Sequence, residues 1–142
     1  MRVFVDTNLW VYRLDRRDPD KSRRIAEWLR ARADIDEIVV STQVLIELRA
    51  VLGRKLTPAL PHGDIRRAVE ALAAFEVVHA DASLVLDAHE LAEMEQLSWF
   101  DALIVEAAIR SGCSVLYSED LGHGRRFGEL TIRNPLAEDA SP

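Results

Sequence analysis

The chain has 142 residues, 49% of them hydrophobic and 30% charged; a length of this order makes one domain, and the Val, Leu and Ile content excludes an intrinsically disordered acidic chain. No run approaches the ~18 apolar residues of a membrane span, an acid interrupts the opening Met1-Arg2-Val3-Phe4-Val5-Asp6 too early for a secretion signal, and one cysteine excludes an internal disulfide framework or a cysteine-built zinc site, so a cytoplasmic protein is expected. The net charge of −6 lacks the overall basic footprint of nucleic-acid binders, but residues 1–24 carry seven basic side chains against four acids while residues 64–106 carry ten acids against Arg66 and Arg67.

Met1–Val5 is an apolar run that predicts a short strand ending at Asp6, after which Thr7 or Asn8 is placed to cap a helix. Asp15–Asp20 is a polar break. In Lys21–Ala33, Ile25, Trp28, Leu29 and Arg32 recur near helical spacing. Glu37–Val40 reads as a second strand, and Ser41 or Thr42 caps a helix through about Leu52 that Gly53 terminates. Pro58, Pro61 and Gly63 make Leu56–Gly63 a loop. Asp64–Ala74 is helical, Phe75–His79 a short strand, and Asp81 or Ser83 opens a helix through Glu95. Ser98 starts a helix that Gly112 ends. Cys113–Ser118 is a near-continuous apolar run, as in a sheet covered on both faces. Gly122–Gly128 reads as a loop and Leu130–Ile132 as a short edge strand. Residues 1–136 are expected to form the domain and 137–142 a flexible tail.

Strands alternating with helices call for an α/β fold, a mostly parallel central sheet of four to five strands flanked by helices as an α/β/α sandwich. Ligands in such sheets sit beyond the carboxyl ends of the strands. Asp6 and Asp120 fall at such ends, although each also reads as a cap or turn acid. Asp101 lies three residues after Ser98, the spacing of a capping box, yet it adjoins Trp99 and Phe100, where a buried carboxylate needs neutralising. Glu47 has apolar Val44 and Val51 one turn away, which predicts a half-buried acid needing a cationic partner; a rim position open to solvent is the other reading.

Carboxylates gathered at one end of a sheet stay ionised together only around a cation. A ligand set of carboxylate oxygens alone selects Mg²⁺ or Mn²⁺ over zinc or copper, and it leaves open whether one or two ions bind. His62, His79, His89 and His123 have no pair at ligand spacing, though His123 is three residues after Asp120.

Val3-Phe4-Val5-Asp6-Thr7-Asn8 resembles the opening of the PIN-domain ribonucleases. Ser41-Thr42-Gln43-Val44-Leu45-Ile46-Glu47-Leu48 resembles their second acidic motif, Ser98-Trp99-Phe100-Asp101-Ala102-Leu103-Ile104 the third, and Ser118-Glu119-Asp120-Leu121 the fourth. In length and motif set the chain is similar to the VapC-type toxins of bacterial toxin–antitoxin pairs. The resemblance implies a Mg²⁺- or Mn²⁺-dependent endoribonuclease acting on tRNA or rRNA. Asp6, Glu47, Asp101 and Asp120 would form its acidic cluster, with Asp6 and Asp101 as direct metal ligands. Thr7, Asn8 and Ser118 match the small polar positions that hold a water, metal or phosphate.

It also implies a homodimer and a VapB-type antitoxin partner in a hetero-oligomer, with no membrane. Arg13, Arg49, Arg125 and Arg126 are candidates for RNA phosphates, as are Arg54 and Lys55. Gly122 and the Asn134-Pro135-Leu136 ending depart mildly from the family pattern, which touches substrate contacts and not the acids. A housekeeping nuclease of the same fold, or a catalytically silent RNA- or protein-binding module, stays open. A receiver-type phosphorylated domain lacks its late lysine here, and Asn8 breaks the Asp-x-Asp of an aspartate phosphatase.

Overall fold

The computed structural model describes residues 1–54 and 60–137. In chain order the elements are β1 (Arg2–Val5), α1 (Thr7–Leu14), α2 (Pro19–Ile35), β2 (Glu37–Ser41), α3 (Thr42–Arg54), α4 (His62–Ala73), β3 (Glu76–Val78), α5 (Ala82–Glu95), α6 (Trp99–Arg110), β4 (Val115–Tyr117), β5 (Arg126–Phe127) and β6 (Leu130–Arg133). The expected loop Leu56–Gly63 falls partly, and the tail beyond Ala137 wholly, outside the described residues.

The six strands make one sheet in the order β3-β2-β1-β4-β6-β5, parallel throughout except where β5 runs against β6. Successive residues Val3, Phe4 and Val5, then Ile38, Val39 and Val40, then Val115, Leu116 and Tyr117 are all buried. Neighbouring residues on a strand point to opposite faces, so both faces of the sheet are covered. The covering helices pack in pairs, α1 on α2, α3 on α4 and α5 on α6. Trp10 fills the core under α1, its Nε1 donating to the Val5 carbonyl at 3.1 Å and its ring 5.6 Å from that of Phe75.

This order creates a switch point. The chain builds outward from β1 through β2 to β3, then returns to add β4 on the other flank of β1. Connections leaving β1 and β4 therefore diverge, and a crevice opens beyond their carboxyl ends. Asp6 directly follows β1, and Ser118-Glu119-Asp120 follow β4.

Several local expectations change. Asp6 itself caps α1: its backbone is still extended (φ −71°, ψ 159°) and its carboxylate accepts from the Thr7 N–H. Thr7 is thus the first helical residue and not the cap. The α2 helix starts at Pro19, whose fixed φ suits a first helical position, behind an Asp18 cap. Gly53 lies inside α3 and Gly63 inside α4. The sheet has six strands, not four or five, and β6 is interior, not an edge. The reason is the two-residue turn Gly128-Glu129: Gly128 at φ +62° folds Arg126–Phe127 back as an extra strand outside β6.

Candidate active site

The end of β1 brings Asp6 into the crevice with 8% of its surface exposed. Its two oxygens are both engaged: Oδ1 accepts from Thr7 N at 2.7 Å and Oδ2 from Ser118 Oγ at 2.8 Å. Burial pushes the Asp6 carboxyl up to about 6; the Ser118 and Thr7 hydrogen bonds pull it down, and the charges of Glu47 and Asp120 raise it further. Ser118, also buried, accepts the Asp120 N–H at 3.2 Å on the same hydroxyl that serves Asp6.

Glu47, on α3, is half-buried as its apolar neighbours require. It meets neutral donors where a cationic partner was expected: Thr7 Oγ1 donates to its Oε1 at 2.7 Å, and Gln43 Nε2 to its Oε2 at 3.3 Å. Gln43 is one turn before Glu47, so helical spacing already puts its amide within reach. Asn8 Nδ2 donates to Asp120 Oδ2 at 2.8 Å, while Asn8 Oδ1 is buried with no partner among the described residues. Asp101 sits in the first turn of α6, whose Ser98 cap accepts the Asp101 N–H at 3.3 Å. That helix start is open, not buried: Trp99 and Phe100 are 40% and 63% exposed. The aromatics therefore do not enclose the Asp101 carboxylate.

Asp6, Glu47, Asp101 and Asp120 all line one cavity of about 530 Å³, together with Thr7, Asn8, Tyr12, Gln43 and Arg54. Tyr12 and Gln43 escaped the sequence reading. Tyr12 is one helical turn beyond Asn8, and that spacing was the available signal. The Tyr12 hydroxyl donates to Glu119, which Lys21 also meets at 3.4 Å.

The candidate RNA-binding arginines lie elsewhere. Arg13 lies over the Trp10 ring, and Arg125 donates to the Glu95 carbonyl at 2.8 Å and covers the Phe127 ring. Arg49 and Arg126 are exposed, and neither lines the cavity. Of the named cations only Arg54 does; Lys55 is outside the described residues. His123 Nδ1 accepts the Asn134 N–H at 3.0 Å.

Among the described residues no three His, Cys, Asp or Glu side chains already form a compact metal-ligating group. Neutral donors hold three of the carboxylates at separate stations on a shared wall. The donor chemistry still suits a hard divalent cation. Every acid at the cavity offers carboxylate oxygen, no imidazole or thiol joins them, and Asn8 adds a buried amide oxygen without a partner.

A family model described as the PIN domain matches residues 3–126. The chain belongs to the PIN domain family. Among solved structures it is similar to VapBC2 from Rickettsia felis, bound to a DNA fragment from its promoter, at 21% identity and TM-score 0.67, covering 94% of this chain and 98% of that one. It is similar to VapBC-1 from nontypeable Haemophilus influenzae at 20% identity and TM-score 0.65, with the same coverages of 94% and 98%. It also resembles Mycobacterium tuberculosis VapC20, a sarcin–ricin loop cleaving toxin, at 26% identity and TM-score 0.55, covering 83% and 89% of the two chains. Comparison with curated proteins gave no match. No helix among the described residues is long and apolar enough to cross a membrane.

Proposed function

We infer that this PIN domain is a Mg²⁺- or Mn²⁺-dependent endoribonuclease and the toxin half of a VapBC-type pair, acting on tRNA or rRNA in the cytoplasm. One observation carries the reading: four carboxylates delivered by four separate elements line a single cavity at the sheet's switch point. The likeness to VapC20 and to two VapBC complexes supports the RNA substrate and a VapB-type antitoxin partner; a homodimer at the core of the assembly is what the family resemblance implies.

Asp6 and Asp101 would hold the cation, with Glu47, Asp120 and the Asn8 amide oxygen within the same wall. When bound, the cation supplies Lewis-acid polarisation of the phosphodiester and lowers the pKa of an attacking water. The chain's own groups do the rest. Thr7 N–H and Ser118 Oγ fix the Asp6 carboxylate and keep its charge accessible near neutral pH. Thr7 Oγ1 and Gln43 hold Glu47, and Asn8 holds Asp120, so each has one oriented carboxylate for positioning water or taking its proton. Hydrolysis by water needs no 2′-hydroxyl nucleophile, so preference for RNA rests on shape and contacts to unstacked bases.

The test is cleavage of tRNA and rRNA by the full chain with Mg²⁺ or Mn²⁺, its arrest by EDTA, and its loss in Asp101→Asn. An Asp101→Asn variant that cuts at the wild-type rate would falsify the assignment.

A further inference from the structure

Phe100 is an aromatic ring left 63% exposed in the first turn of α6. It is the more open of the two aromatics among the exposed large hydrophobics, and a flat ring in the open gains from a partner that covers it. Trp99 beside it does not line the carboxylate cavity; Phe100 does. The Phe100 carbonyl accepts from Gln43 Nε2 at 3.2 Å, and the same amide donates to Glu47 at 3.3 Å. The backbone that carries the ring is thereby tied to the acidic wall.

Arg54, in the last turn of α3, is the only cationic side chain among the described residues that lines this cavity. Its Nε donates to the Ala50 carbonyl at 3.5 Å, a bond that does not use the terminal nitrogens of the fork. With a net charge of −6 and four carboxylates at the cavity that a divalent cation only partly offsets, broad electrostatic attraction for a phosphate backbone is weak here. Affinity has to come from a local cation and from stacking, which is indifferent to net charge.

Building on the nuclease reading above, we propose that Phe100 and Arg54 form a nucleotide subsite in the cavity wall, where an unpaired base stacks on Phe100 and a flanking phosphate meets Arg54. A base inside a duplex has both faces already stacked and cannot use the ring. The subsite therefore restricts cleavage to linkages in unpaired segments. A cavity of about 530 Å³ lies within the size range of small-molecule sites, enough for a nucleotide.

Total tRNA and ribosomal RNA are incubated with the full chain and Mn²⁺, the new 5′ ends are sequenced, and initial rates are taken for Phe100→Ala, Phe100→Trp and Arg54→Gln. Every cut is expected in an unpaired stretch. Phe100→Ala raises KM roughly 10- to 100-fold with kcat little changed, and Phe100→Trp restores it. Arg54→Gln lowers the dependence of log KM on log salt by roughly 0.7. All three variants melt at the wild-type temperature. Cuts inside helices, or wild-type KM in Phe100→Ala, overturn the subsite; wild-type KM with a changed oligomeric mass assigns the ring to a protein interface instead. An unchanged salt dependence in Arg54→Gln removes Arg54 from it. If the wild-type chain cuts neither RNA pool, the nuclease reading itself fails and the subsite falls with it.

Discussion

The Ser118 hydroxyl donates to Asp6 Oδ2 at 2.8 Å across 112 positions of sequence. It joins the residues that follow two neighbouring parallel strands, β1 and β4, and it is one of two bonds that lower the Asp6 pKa against the effect of burial. Ser118→Ala removes that donor, so the Asp6 carboxyl rises above about 6. The acid limb of the pH–rate profile then moves to higher pH. The rate at neutral pH falls about 10- to 100-fold, the usual cost of losing a group that orients a metal ligand, which is the role proposed for Asp6. A profile unchanged in position argues that Asp6 does not set it.

Asp6→Asn tests the same carboxylate through stability. The folded chain holds the Asp6 proton up to about 6, whereas an unfolded carboxyl releases it near 3.8. The unfolded state thus binds fewer protons between those values, and wild-type stability falls as pH rises through that window and stays lowered above it. Asp6→Asn is expected to stabilise the protein by about 1–3 kcal/mol above pH 6 and by nothing near pH 3. Thermal melts in EDTA at the two pH values check this. A gain that is equal at both is incompatible with a buried ionised acid.

Thr7→Val keeps the shape of the first residue of α1 while removing the hydroxyl bonded to Glu47 at 2.7 Å. A hydrogen bond to a carboxylate is lost, and because Glu47 is only half-buried the expected destabilisation is about 1 kcal/mol, below the range for a buried charged partner. Cleavage falls with it. Denaturant melts give the stability change, and a variant as stable as wild type shows that water replaces the hydroxyl.

Asp101→Asn removes one of the two expected direct ligands. Titration with Mg²⁺ or Mn²⁺ by calorimetry is expected to show weakened binding. The cleavage rate drops about a thousand-fold, the equivalent of several kcal/mol of transition-state stabilisation. Since Asp101 stands in an open helix turn, the variant's melting temperature stays near that of wild type. Undiminished metal binding transfers the ligand role to Glu47 or Asp120.

Gln96 ends α5 in the left-handed region, at φ +54°. A side chain there costs about 1 kcal/mol that glycine avoids. Gln96→Gly is expected to raise the melting temperature by a few degrees with RNA cleavage unchanged. A lower melting temperature means the glutamine side chain makes contacts that outweigh its backbone.

The alternation of apolar runs and helical spacings made the α/β class legible in the sequence, and the ends of Met1–Val5 and Cys113–Ser118 pointed to where Asp6 and Asp120 stand. Glu47 was readable as half-buried because Val44 and Val51 flank it on its own helix face. Its partners were not. Thr7 lies forty positions away, and only the folded sheet brings the two together. The environment of Asp101 was misjudged for a related reason: adjacent aromatics in sequence imply burial only if the helix start faces inward, and here it faces solvent. Asp6 was readable as a cap as well as a strand-end acid, but Thr7 and Asn8, also good caps by type, left the choice among the three open. The β5–β6 hairpin rests on two residues, too short for any periodic signal.

Both rims of the sheet are stubs. The three residues of β3 close one side and the two of β5 the other. So little free backbone offers no template on which a foreign strand can zip, which guards the molecule against edge-on aggregation. Strand addition at either rim is therefore a poor route for assembly with another chain.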